Sequence, residues 1–414
     1  MDIKSTFPEM IVDLIGDTRR AWDDAGLEIP EWLAVYSPEQ QIRNERRLDR
    51  RLVEVRRGFS ADRIPSDMAG RLEFLNRMEL SLYRHGIPMD DLSPDHQQAF
   101  RHLSFEFVRQ SLQFDPDLGW AEIKQAIRNI WIMGTIQFYL GIPIRLESPM
   151  LAYSLLYPYT DNYLDDGQRS ADEKRRFCGM IDASIRGERV RVGESRLESG
   201  ITALLDRING SYPAADLPMV RLGLSAILNG QILSLEQQAK NTISDDDLLT
   251  ITLAKGGSSV LADALLVDPG LQSDELRFFF GMGVFLQLID DFQDMVKDEQ
   301  QRHQTLFSNL GMTGCPNDLD GLVCRILHLI DNLTAVDIKE EDLSRRNSAR
   351  MIRNQSIQLV MQTIAVHADR LSSSFIERME SCSSLRFEAI RRLKSEAVRL
   401  DHQKNDETFK KLNS

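Results

Sequence analysis

Two groups of aspartates lie within otherwise apolar stretches that have helical spacing. They consist of Asp161, Asp165 and Asp166 in the first group and Asp290, Asp291 and Asp294 in the second. Ionised carboxylates in apolar surroundings are costly unless cations compensate them. Residues four apart share one face of a helix, so each group projects a pair of carboxylates together. Two such helices facing each other would form an oxygen-lined cleft suited to Mg²⁺.

The elements that must position these carboxylates are helices. Strand signals are nearly absent, and apolar residues recur at helical spacing along the chain, which predicts an all-α fold. Ser148, followed by proline, predicts the start of the helix that carries Asp161. Ser244 predicts a second helix, ending at Asp268, and Ser273 predicts the long helix that carries the second aspartate group.

The organisation along the chain suggests two regions. Residues 1–95 are predicted to form a helical, arginine-rich N-terminal extension. Residues 96–414 are predicted to form one helical domain, with a motif core at about 145–310 and C-terminal helices at 316–414. The stretch from Arg43 to Arg57 alternates with acidic residues, which favours a solvated, salt-bridged helix face over a polyanion-binding site.

The bulk composition limits the classes of partner. The chain is 42% hydrophobic and 27% charged, which is typical of a globular protein. A net charge of −13 excludes nucleic acid as the main partner, because phosphate binding needs a basic surface. The four cysteines show neither zinc-ligand spacing nor a disulfide pattern, and neither a signal peptide nor a transmembrane segment is recognised. We therefore expect a soluble cytoplasmic protein, and a homodimer is compatible with these features.

Three further motifs accompany the aspartates. They are Gly230-Gln231, Lys255-Gly256-Gly257, and a stretch that runs from Gly281 through Gln287 into the second aspartate group. In this order the motifs resemble those of the class I isoprenoid synthases, especially the polyprenyl synthetases. The resemblance covers about residues 100–310, and the stretch that ends in the second aspartate group is its most specific part.

The resemblance implies an all-helical bundle around a deep central cavity, in which two acidic helices hold three Mg²⁺ ions around an allylic prenyl diphosphate. Loss of pyrophosphate then leaves a carbocation. The metal ligands implied are Asp161, Asp165 and Asp166 on one wall and Asp290, Asp291 and Asp294 on the other. Lys255 matches the diphosphate-binding lysine of the family, and Gln231 and Gln287 match its cavity amides.

Several of these residues have a second interpretation. Lys255 could instead be a cation at a helix end, and Gln287 could be an ordinary buried amide. Lys297 could approach the diphosphate or merely neutralise Asp294. Asp298 extends the acidic face, but near a helix end it is expected to be solvated.

Tyr157 lies one helical turn before Asp161, where bulk in the resembled family forms the floor that limits prenyl chain length. Alternatively, it packs against the neighbouring Pro158. Arg175 and Arg176 loosely match the arginine pair that binds isopentenyl diphosphate in the family, but the usual following glycine and proline are missing.

Other positions depart from the family pattern. The spacing of the first aspartate group is closer to that of the squalene and phytoene synthases, although those enzymes usually have a glutamate where Leu164 stands. Ser234 and Gly256 replace an acidic residue and a threonine, and the early Gly-Gly-Lys-Arg stretch is missing. Ionisation of an allylic diphosphate is therefore better supported than its condensation with isopentenyl diphosphate.

Three alternative functions remain open. The chain could be a non-catalytic, prenyl-diphosphate-binding or regulatory subunit of a synthase. It could be a terpene cyclase, because Asp290, Asp294 and Asp298 mimic the spacing of the second cyclase motif, although not its residue types. It could also be a helical interaction protein with aspartate-rich surface caps, which would require both groups to be exposed.

Overall fold

The computed structural model describes residues 3–58, 93–164, 169–188, 196–238, 242–313, 316–334 and 343–395. Within these ranges the chain is helical and contains no strand, so the prediction of an all-α fold is confirmed.

The first seven α-helices are α1 (Glu9–Asp23), α2 (Pro38–Gly58), α3 (Pro94–Phe114), α4 (Trp120–Tyr139), α5 (Ser148–Leu164), α6 (Ala171–Ile185) and α7 (Arg196–Asn209). They are followed by α8 (Leu217–Ser234), α9 (Asp245–Val267), α10 (Ser273–Gln301), α11 (Leu306–Thr313), α12 (Pro316–Thr334), α13 (Leu343–Val366) and α14 (Ser373–Ser381). Short 3₁₀ segments lie at Ile3–Ser5, Leu235–Gln238 and Ala368–Arg370, and a last helical stretch spans 387–395.

Local sequence signals set several of these boundaries. Ser93 caps α3 by accepting a hydrogen bond from the His96 backbone N–H, and Ser244 caps α9 in the same way. The long helix α10 begins with a capping box between Gln272 and Glu275, one residue before the predicted cap at Ser273.

Helix α9 lies at the centre of the fold. It packs most extensively against α8 and α10 and also contacts α1, α4 and α5. One apolar cluster joins α9 to α10, α12 and α13, and a second cluster spans α3 to α8 and includes Ala262 and Leu266 of α9. Because each fully buried large apolar side chain contributes about 1.5–3 kcal/mol, these two clusters hold α9 firmly between the two halves of the bundle.

The N-terminal helices attach to this bundle. Ile11, Leu14 and Trp22 of α1 are buried in the same cluster as α9 and α10, so α1 belongs to the core although it lies within the predicted extension. On α2, Glu45 and Asp49 form ion pairs with Arg386 and Arg392 near the C-terminus. Glu45 and Asp49 of α2 therefore face the C-terminal segment.

Helix α9 is also, in the part of the chain that the structure describes, the one helix with the length and apolar composition of a membrane span. Most of it is buried against other helices, which is the position of a core helix.

Candidate functional site

The acidic face of α10 carries three aspartates at intervals of four residues. Asp290 and Asp294 are exposed, whereas Asp298 is buried. The opposite side of the helix is apolar, since Phe285, Ile289 and Phe292 are buried in the core. This two-sided pattern follows from the helical period and presents Asp290 and Asp294 away from the core.

Asp290 is accessible to solvent, but protein atoms also surround much of its carboxylate. It is exposed, yet burial by the surrounding protein is the main cause that raises the pKa of its carboxyl, and the charge of Asp294 raises this pKa further. The charges of Arg128, Lys255 and Lys297 lower the same pKa, in that order of effect. Burial therefore opposes the charge of Asp290, and the nearby cations offset part of this effect.

Asp291 has a different environment from its neighbour. It is buried, and its two carboxylate oxygens accept hydrogen bonds from Gln287 Nε2 at 2.8 Å and from Thr252 Oγ1 at 3.3 Å. Burial raises the pKa of Asp291 to about 6, and the hydrogen bond from Gln287 opposes this effect. In this arrangement Asp291 and Gln287 tie α10 to α9 through Thr252, while their predicted roles as metal ligand and cavity amide stay predictions.

Asp298 is buried, which differs from the solvated position expected for it. Helix α10 continues to Gln301, and the chain then turns back, so that the His303 backbone N–H donates to the Asp298 carbonyl oxygen. Gln304 continues this return by exchanging hydrogen bonds with Gln237. Burial raises the pKa of Asp298 to about 7, and the charges of Asp291 and Asp294 raise it further.

Lys255 lies on α9 at the point where α8, α9 and α10 cross. A Cβ placed on Gly230 of α8 would lie 2.8 Å from the Lys255 Cα, and one placed on Gly256 would lie 2.5 Å from the Gln287 Cβ of α10. Only glycine permits such close approach of helix backbones. The glycines of the three sequence motifs therefore bring Gln231, Lys255 and Gln287 onto adjoining stretches of neighbouring helices.

The charge of Lys255 reaches the acidic face of α10. It lowers the pKa of Asp290, of Asp291 and of Asp298. Lys255 itself is only half-buried and forms no ion pair with another described residue. A lysine in this position can interact with an anion bound beside the aspartates.

The first aspartate group is described only in part. Asp161 lies in the last turn of α5, but the structure does not describe its side chain, and Asp165 and Asp166 lie outside the described residues. Helix α5 packs against α4, α7 and α9, so it is a neighbour of the helix that carries Lys255. Tyr157, one turn before Asp161, is half-buried.

Two of the basic residues predicted at the site, Lys297 and Arg175, have partners on the surface. Lys297 donates to Asp294 Oδ2 at 3.1 Å, and Arg175 donates to Asp172 Oδ1 at 2.6 Å. All four side chains are exposed, and exposed pairs of this kind contribute only about 0–1 kcal/mol each. Arg176 is exposed as well. Such pairs are weak enough to break when a more strongly charged ligand is bound.

No pattern in the sequence indicates Arg128. It lies on α4 and is exposed, and its charge has the largest lowering effect on the pKa of Asp290. No motif surrounds it, because it stands in an ordinary amphipathic helix. Helix α4 packs against α5 and α9, and the relation of Arg128 to Asp290 is electrostatic.

The residues of α10 fit a divalent cation. No three described acidic, histidine or cysteine side chains are close enough to hold a metal ion by themselves. Mg²⁺, however, retains several waters and takes only one or two carboxylates together with substrate phosphates. Asp290 and Asp294 supply such a pair one turn apart, and the charge of Asp294 adds to the effect of burial in raising the pKa of Asp290.

Comparison with known proteins identifies no family for this chain. No protein-family model matches the sequence, and no match was found among the curated proteins or the solved structures. The resemblance to the isoprenoid synthases rests on the motifs and on the residues that carry them.

Proposed function

We propose that the chain is a Mg²⁺-dependent isoprenoid synthase that ionises an allylic prenyl diphosphate and transfers or couples the prenyl carbocation, with release of pyrophosphate. The observation that carries this proposal is the relation between Lys255 and the acidic face of α10. Lys255 lies within electrostatic reach of Asp290, Asp291 and Asp298, at the crossing of the three helices that bear the sequence motifs.

In this proposal each residue type has a chemical task. Asp290 and Asp294 hold Mg²⁺ together with carboxylates of the first group, and Lys255 binds an oxygen of the diphosphate. When bound, the ions would neutralise the negative charge that grows on the diphosphate as its bond to carbon breaks. Gln231 and Gln287 supply amides beside the reacting carbon, and Tyr157 lies below the diphosphate along the prenyl chain.

The reaction breaks the allylic C–O bond, and pyrophosphate leaves with the bonding electron pair. The allylic carbocation is then attacked by a carbon–carbon double bond of the acceptor, and loss of a proton restores neutrality at carbon. Apolar surroundings protect the cation from water. The departures from the family pattern leave three acceptors open: isopentenyl diphosphate, a second allylic diphosphate or an internal double bond of the same substrate.

Cyclisation is the second candidate, and the position of Asp298 favours it. Asp298 is buried beside Asp291 and Asp294, whose charges raise the pKa of its carboxyl. The charge of Asp294 thus acts on both Asp290 and Asp298, the aspartates one turn before and one turn after it. A cyclase would release pyrophosphate from a single prenyl diphosphate and form a cyclic product without a co-substrate.

The test is incubation of the pure protein with Mg²⁺ and geranyl, farnesyl or geranylgeranyl diphosphate, each with and without isopentenyl diphosphate. Released pyrophosphate and organic products are analysed together. We expect Mg²⁺-dependent release of pyrophosphate and a new prenyl product with at least one substrate. Binding of prenyl diphosphate without release would indicate the non-catalytic subunit, and neither binding nor release would refute the proposal.

A further inference from the structure

Helix α2 is held against the end of α14 and the chain that follows it by buried polar contacts. Nε2 of Gln41 donates to the carbonyl oxygens of Glu380 and Ser383 at 2.8 Å and 3.0 Å. Both carboxylate oxygens of Glu45 accept hydrogen bonds from the Arg386 guanidinium, at 2.8 Å and 2.6 Å. Gln41 and Glu45 are buried, and breaking such a contact leaves an unsatisfied polar group. These contacts therefore fix which side of α2 faces away from the protein.

The outward side of α2 carries four exposed arginines, which we call the arginine stripe: Arg43, Arg46, Arg47 and Arg50. At the helical period these positions share an arc of about 100° and a length of about 10 Å, on the side opposite Gln41 and Glu45. Nε of Arg50 donates to the carbonyl oxygen of Arg46 at 3.3 Å. Among the residues that the structure describes, no carboxylate forms an ion pair with any of the four arginines. The stripe is therefore a positive surface that no ion pair balances within this part of the chain.

This arrangement differs from the salt-bridged helix face expected from the sequence. Glu45 pairs with Arg386 at 2.6 Å, and Asp49 pairs with Arg392 at 2.7 Å. Glu39, one turn before the stripe, is close enough to be affected by its charge but forms no ion pair with any described residue. Glu45 and Asp49 thus neutralise arginines of the C-terminal segment, and the stripe keeps its charge for a partner outside the chain.

Two exposed apolar side chains precede the stripe. Leu27 and Val35 lie in the loop between α1 and α2, and 61% and 72% of their surface is exposed, more than for any other large apolar residue that the structure describes. The Tyr36 backbone N–H donates to the Ser381 carbonyl oxygen at 2.8 Å, which fixes the end of this loop against the same C-terminal segment as α2. Exposed apolar side chains therefore lead directly into the arginine stripe.

A bilayer surface with anionic lipids fits this combination of groups. The planar donors of arginine bind two phosphate oxygens at once, as a lipid headgroup provides. Apolar side chains next to basic residues enter the boundary between headgroups and acyl chains. The net charge of −13 does not prevent this contact, because charges more than about 8 Å away are screened at physiological ionic strength.

Two other partners fit the exposed groups less well. A nucleic acid offers phosphates but no apolar interior to receive Leu27 and Val35. A second copy of the chain offers few exposed apolar side chains, because the next most exposed of the described residues are Ile232 at 39% and Ile142 at 36%. The apolar side chains therefore select the bilayer.

We propose that the arginine stripe, together with Leu27 and Val35, docks the chain on the surface of a bilayer that contains anionic lipids. The arginines contact headgroup phosphates, and the two apolar side chains enter the interface beside them. Each arginine near such a surface strengthens binding about fivefold, so four arginines give a reversible attachment. This surface includes none of the residues of the proposed isoprenoid synthase site, so its test does not depend on that function.

The test is co-sedimentation of the full chain with vesicles of phosphatidylcholine, alone or mixed with phosphatidylserine. The wild type is compared with the double variant Arg43→Gln, Arg47→Gln and with the control Arg346→Gln, Arg350→Gln. The control removes two exposed arginines of α13 at the same spacing of four residues. We expect the wild type to prefer the mixed vesicles, the stripe variant to bind them about tenfold or more weakly, and the control to bind as the wild type.

The substitution Val35→Ser tests the apolar part of the surface. It should weaken binding to the mixed vesicles about threefold or more, because less apolar surface enters the interface. The salt dependence of binding should stay as in the wild type, since the arginines remain. Unchanged affinity would overturn the bilayer as the partner, because the apolar contact is what distinguishes it from other polyanions.

A measurement on the wild type covers a stripe variant that does not fold. Phenylglyoxal modifies accessible arginines, and mass spectrometry reports the rate at each site. Mixed vesicles should slow the modification of Arg43 and Arg47 but not that of Arg350. Equal rates with and without vesicles would overturn the proposal.

The remaining outcomes are also decisive. A wild type that does not bind the mixed vesicles, or binds both kinds equally, overturns the proposal, as does a control variant weakened as much as the stripe variant. Binding of a DNA duplex in place of vesicles would assign the stripe to nucleic acid. A dimer that forms without vesicles and dissociates in the stripe variant would assign it to a second copy. Either result would refute docking on a bilayer.

Discussion

Gly283 of α10 lies so close to Gly256 of α9 that a Cβ placed on Gly283 would stand 2.2 Å from the Gly256 carbonyl oxygen. The obstacle is backbone, which cannot move aside as a flexible side chain can. This contact sets the distance between the helix of Lys255 and the helix of Asp290. This close approach of the two helices also explains why glycine occurs in the motif of Lys255 and in the motif that precedes Asp290.

Replacing Gly283 with alanine should destabilise the fold. The added methyl group forces α9 and α10 apart, and overpacking of this kind costs about 1–3 kcal/mol. Urea unfolding of the variant measures the loss. Gly179→Ala is the matched control, because a Cβ at Gly179 meets nothing within 4 Å and α6 should gain about 0.5–1 kcal/mol in helix propensity. Equal stability of the two variants would contradict this account of the helix crossing.

The buried cluster around Asp263 predicts a dependence of stability on pH. Burial raises the pKa of Asp263 well above its ordinary value, while the hydrogen bond from Asn129 opposes this effect. The stability due to the neutral carboxyl is fully present below the unfolded pKa of about 3.9 and is lost as pH rises through the folded pKa. Asp263→Asn cannot ionise and retains an acceptor for Asn129, so its stability should fall less than that of the wild type between pH 5 and pH 9.

Chemical unfolding at several pH values measures this difference. Asp263→Leu should be less stable than Asp263→Asn by about 1–3 kcal/mol, because it leaves the buried Asn129 amide without this acceptor. Parallel pH profiles of the wild type and Asp263→Asn would show that Asp263 does not titrate in the way expected from its burial.

Removing one carboxylate from α10 should separate metal binding from folding. Burial and the charge of Asp294 raise the pKa of Asp290, so its ionised form is unfavourable in the folded protein without metal. Asp290→Asn should therefore keep or raise the Tm at pH 8 in the presence of a chelator. The Tm increase on addition of Mg²⁺, which follows from ligand binding to the folded state, should be smaller than in the wild type. Identical increases would remove Asp290 from the metal site.

Tyr157 provides a prediction about substrate length. If its ring forms the floor below the diphosphate, Tyr157→Ala leaves room for additional apolar carbons. The ratio of kcat/KM for geranylgeranyl over farnesyl diphosphate should then rise by about tenfold or more. Competition between the two substrates, with wild type and variant assayed side by side, provides the measurement. An active, folded variant with unchanged preference would mean that Tyr157 instead packs against Pro158.

The sequence predicted those parts of the structure that depend on local signals. Caps and helical spacing indicated the starts of α5 and α9 and the all-α class, because a serine cap and an apolar period act within a few residues. The burial of Asp298 was not foreseen, and it occurs where the chain turns back after α10, with the His303 backbone N–H bonded to the Asp298 carbonyl oxygen. Likewise, the polar composition of the first 95 residues concealed the apolar face of α1 that enters the core.

The residues of the candidate site also fall into these two groups, those with a local sequence signal and those that depend on the fold. Glycines that flank Gln231, Lys255 and Gln287 were visible as motifs, and the structure relates them to close helix contacts. Arg128 carries no local signal, because its electrostatic effect on Asp290 arises between residues that are distant in the sequence. No short-range pattern could have selected it over the other arginines of the chain.

The central claim is that both aspartate groups act on one Mg²⁺–diphosphate site, and the most direct test is a double-mutant cycle on Asp161 and Asp290. Calorimetry measures Mg²⁺-dependent pyrophosphate binding to the wild type, to Asp161→Asn, to Asp290→Asn and to the double variant. We predict that each single substitution weakens binding and that the double variant loses less than the sum of the two losses, because both residues act on the same ligand. A wild type that does not bind pyrophosphate with Mg²⁺, or an Asp161→Asn variant that binds it as tightly as the wild type, would contradict the account.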